Sequence, residues 1–411
     1  MAPITRQELD ALPLGYATPC LGLNAAHKLE DKFKAMQESG FDTVELGFGN
    51  YVAWVRSKVD LPPSTCPEEW KVDDEPDPSD DVIWTALFNH ADALKSLADH
   101  YALKLGMLQP LNQFDGWPRG HERGEWSRRK ASLWLKLCSE LGVGYLQVGA
   151  NDQIEEGDKD NEKTAEDMAW LADEAAKQPN PVIIAYEPWC FSHTHPTWEK
   201  CYEVVKKAVS DVHNPPLPLS TRSLEAPSEG PEALMKEYNR ANLGLCLDSA
   251  QMALSPDYGY DPTSSTPPSE QSFQDLLERI RALPKEDIAY FEISDVLAPS
   301  PPLLGGSKYD EWHKKQGEGN PTRSSWVLCA RVVPYVGRGA GSDVRDERDL
   351  GVARVAEVAK AVFDTGYRGP VVWEPFEALL MEKEDQSVPA TFAKAGRISK
   401  EKLYAEVAGS T

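Results

Sequence analysis

The sequence predicts an α/β protein built as a (β/α)8 TIM barrel, and three observations support that fold class. Short runs rich in β-branched and aromatic residues alternate with longer stretches of helical period, which is typical of βα units around a parallel sheet. The short runs number eight, the strand count of the barrel. The turn after the first run, ATPCLGLNAAHK, has one isolated glycine, whereas a doubly wound sheet carries a glycine-rich turn there. The barrel is therefore favoured over an open sheet.

The predicted strands and helices alternate along the chain. The strands cover residues 17–23, 42–48, 104–109, 145–149, 182–187, 243–248, 288–294 and 370–374. The helices between them cover residues 27–39, 82–101, 122–141, 164–176, 197–212, 269–282 and 350–365. This order places each helix on the crossover between two neighbouring parallel strands.

The extra length of the 411-residue chain lies in loops that follow strands. These loops cover residues 50–81, 151–161, 214–240, 255–270 and 298–323. They lie on the carboxyl side of the strands, where barrel enzymes build their active sites. We therefore expect one TIM-barrel domain over residues 1–411, with the barrel at about 15–376 and a C-terminal extension at 377–411.

The charge and the cysteines restrict the class of protein. The chain has 43 Lys and Arg against 66 Asp and Glu, a net charge of −23, which would repel nucleic acid and anionic membranes. The seven cysteines are scattered without CxxC pairs, which argues against a disulfide framework and a structural zinc site. The sequence shows neither a signal-peptide pattern nor an apolar run long enough to span a membrane. We expect a cytoplasmic protein, and its oligomeric state stays open.

Four consecutive predicted strands end in an acid: Glu187 in IIAYEPW, Asp248 in LGLCLDS, Glu292 in YFEISD and Glu374 in VVWEPF. Neighbouring strand ends meet at one mouth of a barrel, so these carboxylates could surround one ion. Oxygen ligands suit Mg²⁺ or Mn²⁺, and a cation would relieve their mutual repulsion. Asp295 competes with Glu292, but alternation along the strand admits only one of them, and we prefer Glu292. The alternative is that these acids solvate a rim or cap helices.

Other polar residues lie at the same predicted mouth. Glu45 ends the second strand in DTVELGF and is a candidate substrate ligand or second base. His193 and His195, in CFSHTHPTW, are candidates for the general base or a substrate contact, unless they cap the next helix. Gln109 and Gln147 end the third and fourth strands and could bind substrate hydroxyl groups, or they are structural.

Eight segments together resemble the xylose-isomerase-like superfamily of sugar isomerases, epimerases and endonucleases, and most closely its fungal-type 3-dehydroshikimate dehydratases. They are HKLEDKFKAMQESGFDTVEL, LKLGMLQPLNQFDGW, YEPWCFSHTHPTWEKCYEVV, NLGLCLDSAQMA, YFEISD, SSWVLCARVVPY, GYRGPVVWEPF and VPATFAKAGRISKEKL. The likeness runs along most of the chain, and the order and spacing of the segments make it specific.

The resemblance implies a metal site and a reaction. The family holds its metal with an acid on strand five, an Asp on strand six, a Gln or His on strand seven and a Glu on strand eight. These positions are Glu187, Asp248, Glu292 and Glu374 in this chain. The implied reaction removes water from a β-hydroxy ketone ring to give protocatechuate. A base takes the α-proton, the metal stabilises the enolate oxygen, and an acid assists the departing hydroxide.

The chain departs from that family at predicted substrate contacts. Asn112 follows LQP, where the family often has a basic residue, and Gln251 replaces a histidine. The SRxxR pattern becomes Val327, Leu328 and a retained Arg331, which is a candidate substrate contact together with Asn112 and Gln251. These departures leave two alternatives open for a small polyhydroxylated carbonyl substrate. One is a metal-dependent sugar or cyclitol isomerase or epimerase, and the other is a non-catalytic ligand-binding barrel.

Overall fold

Eight parallel strands close into a barrel in the computed structural model of the chain, which describes residues 4–70, 75–210, 240–343 and 346–409. The strands are β1 (Leu14–Ala17), β2 (Thr43–Gly47), β3 (Lys104–Leu111), β4 (Tyr145–Gly149), β5 (Ile183–Glu187), β6 (Leu243–Asp248), β7 (Ile288–Ile293), β8 (Asp295–Val296), β9 (Arg331–Val332) and β10 (Val371–Trp373). The order around the barrel is β1-β10-β7-β6-β5-β4-β3-β2, and β8 and β9 form a separate antiparallel pair. The predicted TIM barrel is confirmed.

Helices surround the barrel, and several short ones lie in the loops after the strands and share a second apolar cluster. In the described residues they are Arg6–Asp10, Leu29–Glu38, Phe48–Arg56, Asp81–Asn89, Ala91–His100, Glu122–Leu141, Asn161–Ala176, Trp198–Ser210, Ser249–Ala253, Glu270–Arg281, Asp310–Lys315, Thr322–Cys329, Val355–Asp364, Ala378–Met381 and Val388–Gly409. The helix Glu122–Leu141 shows why the sequence folds this way. At its start the His121 ring accepts the Arg123 N–H, and the helix ends at Gly142 in the left-handed region at φ 70°.

One predicted strand and one predicted helix differ clearly from the structure. The first strand is Leu14–Ala17 and not residues 17–23, because Pro19 at the start of the 3-10 turn Thr18–Leu21 cannot donate to a strand. The predicted helix 82–101 is divided at His90, whose ring Nδ1 bonds the Ala86 carbonyl at 2.8 Å.

Two predicted loops contain helices, Phe48–Arg56 at the start of the loop 50–81 and Asp310–Lys315 within the loop 298–323. The predicted loop 214–240 lies outside the described residues except for its last residue, and so does the end of the predicted helix 197–212.

The C-terminal extension is present as the helix Val388–Gly409, which packs beside β1 and β10. The Trp373 indole donates to Ser399 Oγ at 3.0 Å, and the Tyr16 hydroxyl donates to the Phe392 carbonyl at 3.1 Å. Gly396 permits this close packing, since a Cβ there would lie 2.6 Å from the Tyr16 ring. That the whole chain folds as one domain stays a prediction. Among the described residues, no helix is both long and apolar enough to cross a membrane.

Candidate metal centre

The four acids predicted from the strand ends converge at the carboxyl end of the barrel. Glu187 ends β5, Asp248 ends β6, Glu292 is the penultimate residue of β7, and Glu374 follows β10 directly. All four are buried, with at most 4% of their surface exposed. One carboxylate oxygen from each residue lies within 4.8 Å of the others, so the cluster could hold a metal ion. The competing acid, Asp295, instead accepts backbone N–H groups outside the cluster.

Burial and mutual repulsion make this cluster electrostatically costly. Burial, followed by the charge of Glu374, raises the pKa of Glu187 and that of Glu292 well above their usual range. Burial also raises the pKa of Asp248 to about 6, although the nearby Arg331 opposes that shift. Buried carboxylates that face one another favour protonation or the binding of a cation. A positive charge bound at the site would therefore stabilise these carboxylates.

Arg331 supplies one positive charge inside the cluster. Its Nη2 lies 2.7 Å from Asp248 Oδ2 and 2.6 Å from Glu374 Oε2, and its Nε donates to Ser294 Oγ at 3.1 Å. Burial lowers the arginine pKa, but Asp248 and Glu374 outweigh that effect, so its pKa is raised and it stays charged. The short pair of β8 and β9 places it there, because Arg331 is paired with Val296. One guanidinium cannot neutralise four carboxylates.

Neighbouring donors fix one oxygen of each of three glutamates. The Trp189 indole N–H donates to Glu187 Oε2 at 2.6 Å. The Gln147 amide donates to Glu292 Oε1 at 3.0 Å, and the Gln109 amide donates to Glu374 Oε1 at 2.8 Å.

Two carboxylate oxygens of the cluster accept no hydrogen bond from these donors. Glu187 Oε1 and Glu292 Oε2 are buried and have no hydrogen-bond partner. Buried, unpaired carboxylate oxygens are costly unless something binds them, and hard cations prefer such oxygens. This donor set fits a divalent ion.

Glu45 lies beside the cluster on β2 and is fully buried. Its Oε1 accepts from the Tyr290 hydroxyl at 2.6 Å, its Oε2 is unpaired, and its carboxyl group lies against that of Glu292. Burial, reinforced by the charge of Glu374, raises the pKa of Glu45 to about 8. Glu45 can thus hold a proton at the edge of the cluster near neutral pH.

The two candidate histidines have different surroundings. His195 is buried, with Nδ1 2.9 Å from Thr194 Oγ1 and Nε2 3.2 Å from Asn161 Oδ1. Burial lowers the pKa of His195 to about 3, so its ring is neutral and both nitrogens are engaged. His193 is exposed on the loop after β5, close enough to the largely buried Asp152 to influence its charge. Of the two rings, only His193 faces solvent.

The predicted substrate contacts fall into two groups. Arg331, Gln109 and Gln147 bond to carboxylates of the cluster, as described above. Gln251 is buried, and its side-chain oxygen accepts the Cys190 N–H at 2.9 Å. The Asn112 carbonyl accepts from the Lys130 ammonium at 2.7 Å, while its side-chain oxygen is buried and unpaired.

Three residues that contact the cluster or the neighbouring Glu45 were not predicted from the sequence: Trp189, Tyr290 and Ser294. Tyr290 and Ser294 lie two positions before and after Glu292, and alternation along a strand places such residues on the same face. That spacing was a usable signal. Trp189 follows Glu187 by two positions, but it lies beyond the end of β5, where alternation gives no guidance.

Comparisons with known proteins agree with this fold. Residues 33–217 match the family model described as xylose isomerase-like TIM barrel. The chain is 27% identical over 395 residues to a 3-dehydroshikimate dehydratase of Neurospora crassa, which covers 93% of this chain and 90% of that protein. The predicted resemblance to xylose-isomerase-like barrels and fungal 3-dehydroshikimate dehydratases is confirmed.

Solved structures show the same fold at lower identity. The IolI protein, solved with a bound zinc atom, has a TM-score of 0.54 and 15% identity, and the match covers 97% of this chain and 99% of that one. A fusion of a xylose isomerase-like TIM barrel with a 4-hydroxyphenylpyruvate dioxygenase has a TM-score of 0.52 and 17% identity. That match covers 89% of this chain but only 39% of the fusion protein.

Proposed function

We propose that this chain is a divalent-metal-dependent lyase of the 3-dehydroshikimate dehydratase type, which eliminates water from a β-hydroxy ketone ring. The observation that carries the proposal is the cluster of Glu187, Asp248, Glu292 and Glu374, with their oxygens within 4.8 Å of one another. The similarity to the Neurospora crassa dehydratase over 93% of the chain supports the choice of reaction.

The four carboxylates would hold Mn²⁺ or Mg²⁺, because the donor set consists of oxygen atoms. When bound, a divalent cation supplies an electrophilic centre for the negative charge that develops on the substrate carbonyl oxygen. Arg331 keeps Asp248 and Glu374 in place through its two bonds of 2.7 Å and 2.6 Å. Gln109 adds a second bond to Glu374, and Gln147 orients Glu292 in the same way.

We assign the proton transfers to His193 and Glu45. His193 is exposed on the loop after β5, where it can take the proton α to the carbonyl group of a substrate at the mouth. Glu45 is held by Tyr290 with its Oε2 unpaired, so it can give a proton to the departing hydroxide. His195 keeps the loop in place, since Thr194 and Asn161 engage its ring.

A metal-dependent sugar or cyclitol isomerase or epimerase is a second candidate function, and the position of Arg331 favours it. A dehydroshikimate-type substrate carries a carboxylate that needs a cationic partner. Arg331 is the arginine retained from the family pattern, yet it is bonded to Asp248 and Glu374 inside the cluster. An uncharged polyhydroxylated carbonyl compound would not need that arginine.

One assay distinguishes the two candidate functions. Purified protein is loaded with Mn²⁺ or Mg²⁺, its metal content is measured, and 3-dehydroshikimate is added. The dehydratase forms a catechol product with an aromatic ultraviolet absorbance, and we expect that absorbance to rise. A metal-loaded chain that forms no catechol contradicts the dehydratase proposal, and ketose and cyclitol substrates then test the second candidate.

A further inference from the structure

We infer that Trp189 is a positioning residue that leaves Glu187 a single oxygen for binding a cation. This inference rests on the proposed metal site and concerns how the chain prepares one of its ligands. The Trp189 indole Nε1 donates to Glu187 Oε2 at 2.6 Å, which is a short hydrogen bond. The other oxygen, Glu187 Oε1, is buried and unpaired. In this carboxylate, Oε2 accepts the indole hydrogen bond, and Oε1 is left to bind a cation.

The backbone at the end of β4 holds the indole in place. Gly149 is the last residue of β4 and pairs in register with Glu187. A Cβ built on Gly149 would lie 2.1 Å from Trp189 Cζ2, so the indole rests directly on the glycine backbone. No other residue type could be placed at 149 without moving the ring. Gly149 and Glu187 thus act together on the same indole, one by contact and one by hydrogen bonding.

A second aromatic ring supports the indole. The rings of Trp189 and Phe191 have centroids 5.1 Å apart at an interplanar angle of 31°. Trp189 is partly exposed, as expected for a side chain that lines the mouth of the site. Because the ring packs against Gly149 and Phe191, its N–H direction is set before any ligand arrives. Such preorganisation of a ligand by its hydrogen-bond partner is a known determinant of metal affinity.

Two substitutions should disturb this arrangement independently. Trp189→Phe keeps an aromatic wall but removes the N–H, so Glu187 Oε2 loses its donor. Gly149→Ala leaves both side chains intact but pushes the indole away. Each should raise the dissociation constant for Mn²⁺ by about 10- to 100-fold, the effect typical of losing an outer hydrogen-bond partner. Two unrelated changes with the same effect would point to the hydrogen bond and not to a local packing defect.

Matched controls lie elsewhere in the chain. Trp170→Phe changes a partly buried tryptophan that stacks on Phe114. Gly124→Ala adds a methyl group within the helix Glu122–Leu141, where its nearest neighbour is Trp117 Cβ at an ordinary 3.5 Å. We expect both controls to bind Mn²⁺ as the native chain does. Titration calorimetry with MnCl₂ gives the dissociation constants, and circular dichroism checks that each variant is folded.

A second measurement separates this inference from the metal proposal. In the metal-free protein, the proton resonance of the Trp189 indole N–H reports its bond to Glu187, and Trp189→Phe assigns that resonance. We expect Glu187→Gln to shift it upfield, since a neutral amide is a weaker acceptor than a carboxylate. If the native chain binds no Mn²⁺ while this shift occurs, the metal proposal fails and the positioning of Glu187 by Trp189 stands. An unshifted resonance, or native Mn²⁺ affinity in both Trp189→Phe and Gly149→Ala, overturns the inference.

Discussion

Arg331 donates to Asp248 at 2.7 Å in the middle of a cluster of buried acids, and the same Nη2 reaches Glu374 at 2.6 Å. The arginine thus acts as a built-in cation for two of the four carboxylates, while Glu187 and Glu292 each keep an unpaired oxygen. The site thus contains one permanent positive charge, that of Arg331, and two carboxylates whose unpaired oxygens could bind a cation. Both parts can be tested separately.

Replacing Arg331 with Met should destabilise the metal-free protein. Two buried carboxylates lose their partner, which typically costs about 3–5 kcal/mol in the free energy of unfolding. Added Mn²⁺ should restore more stability to this variant than to the native chain, because the cation replaces the missing charge. Urea unfolding with and without Mn²⁺ measures both effects. Arg348→Met is the control, since Arg348 pairs with Asp346 on the surface. Equal effects of the two substitutions would show that the buried pairing is unimportant.

Replacing Glu292 with Gln should weaken metal binding without abolishing it. The variant keeps an oxygen for the bond from Gln147 but carries one negative charge fewer. We expect the dissociation constant for Mn²⁺ to rise on the order of tenfold, because the charge of the ligands sets affinity for hard cations. Turnover at saturating metal should not fall, because a cation bound by fewer negative ligands is more electrophilic. Calorimetry and catechol formation measure the two quantities. Unchanged affinity would remove Glu292 from the ligand set.

The two histidines should respond differently to substitution. His193→Gln should lower kcat by about 10²- to 10⁴-fold, the usual contribution of a general base, with little change in stability. His195→Gln should instead lower the free energy of unfolding by about 1–3 kcal/mol, because the buried bonds to Thr194 and Asn161 are disturbed. Steady-state kinetics and urea unfolding of both variants test this. A larger loss of kcat in His195→Gln would reverse the assignment.

Asp115 should make the stability of the protein depend on pH. It is buried, accepts from the Tyr186 hydroxyl at 2.8 Å, and has an unpaired Oδ1. Burial raises its pKa to about 7, above the unfolded value. The folded chain then binds more protons than the unfolded chain between about pH 4 and 7, so stability from this group is lost as the pH rises.

Asp115→Asn removes that titration. The unfolding free energy of the variant relative to the native chain should therefore increase by about 2 kcal/mol between pH 5 and pH 8. Urea unfolding at several pH values measures the difference. Asp99→Asn, on the exposed end of the helix Ala91–His100, is the control and should show no such trend. If the difference in unfolding free energy between Asp115→Asn and the native chain does not change with pH, this carboxyl titrates in the folded chain as it does in water.

The barrel and the four acids could be predicted from the sequence because both follow from local patterns. Strand period gives the eight runs, and in a parallel barrel the last residues of adjacent strands must meet. The predicted position of the first strand was wrong. Pro19 lies in a 3-10 turn that ends the strand at Ala17, so the strand lies before this turn and not across it. The division of the helix at His90 likewise depends on a side chain that competes for a backbone carbonyl.

Gln109, Gln147 and Arg331 were predicted to lie at the site, but their bonds to the acids could not be predicted, because each joins distant parts of the chain. Arg331 reaches Asp248 across 83 residues, and it does so through a two-residue strand pair without a periodic signature. The ring of His195 is engaged by Asn161, 34 residues earlier. The position of Trp189 over Gly149 depends on a contact between the indole side chain and the backbone at the end of β4. Such contacts arise only when the barrel closes.

The proposed function depends on four carboxylates that hold one divalent ion. Its most direct test is the metal content of the native chain and of Glu374→Gln after equilibration with Mn²⁺ or Mg²⁺ and removal of unbound metal. The Gln substitution removes one ligand charge but keeps the shape of the side chain. We expect about one ion per native chain and clearly less in Glu374→Gln, with both proteins folded. A native chain that retains neither ion, or a variant that retains as much as the native chain, contradicts the proposed metal site.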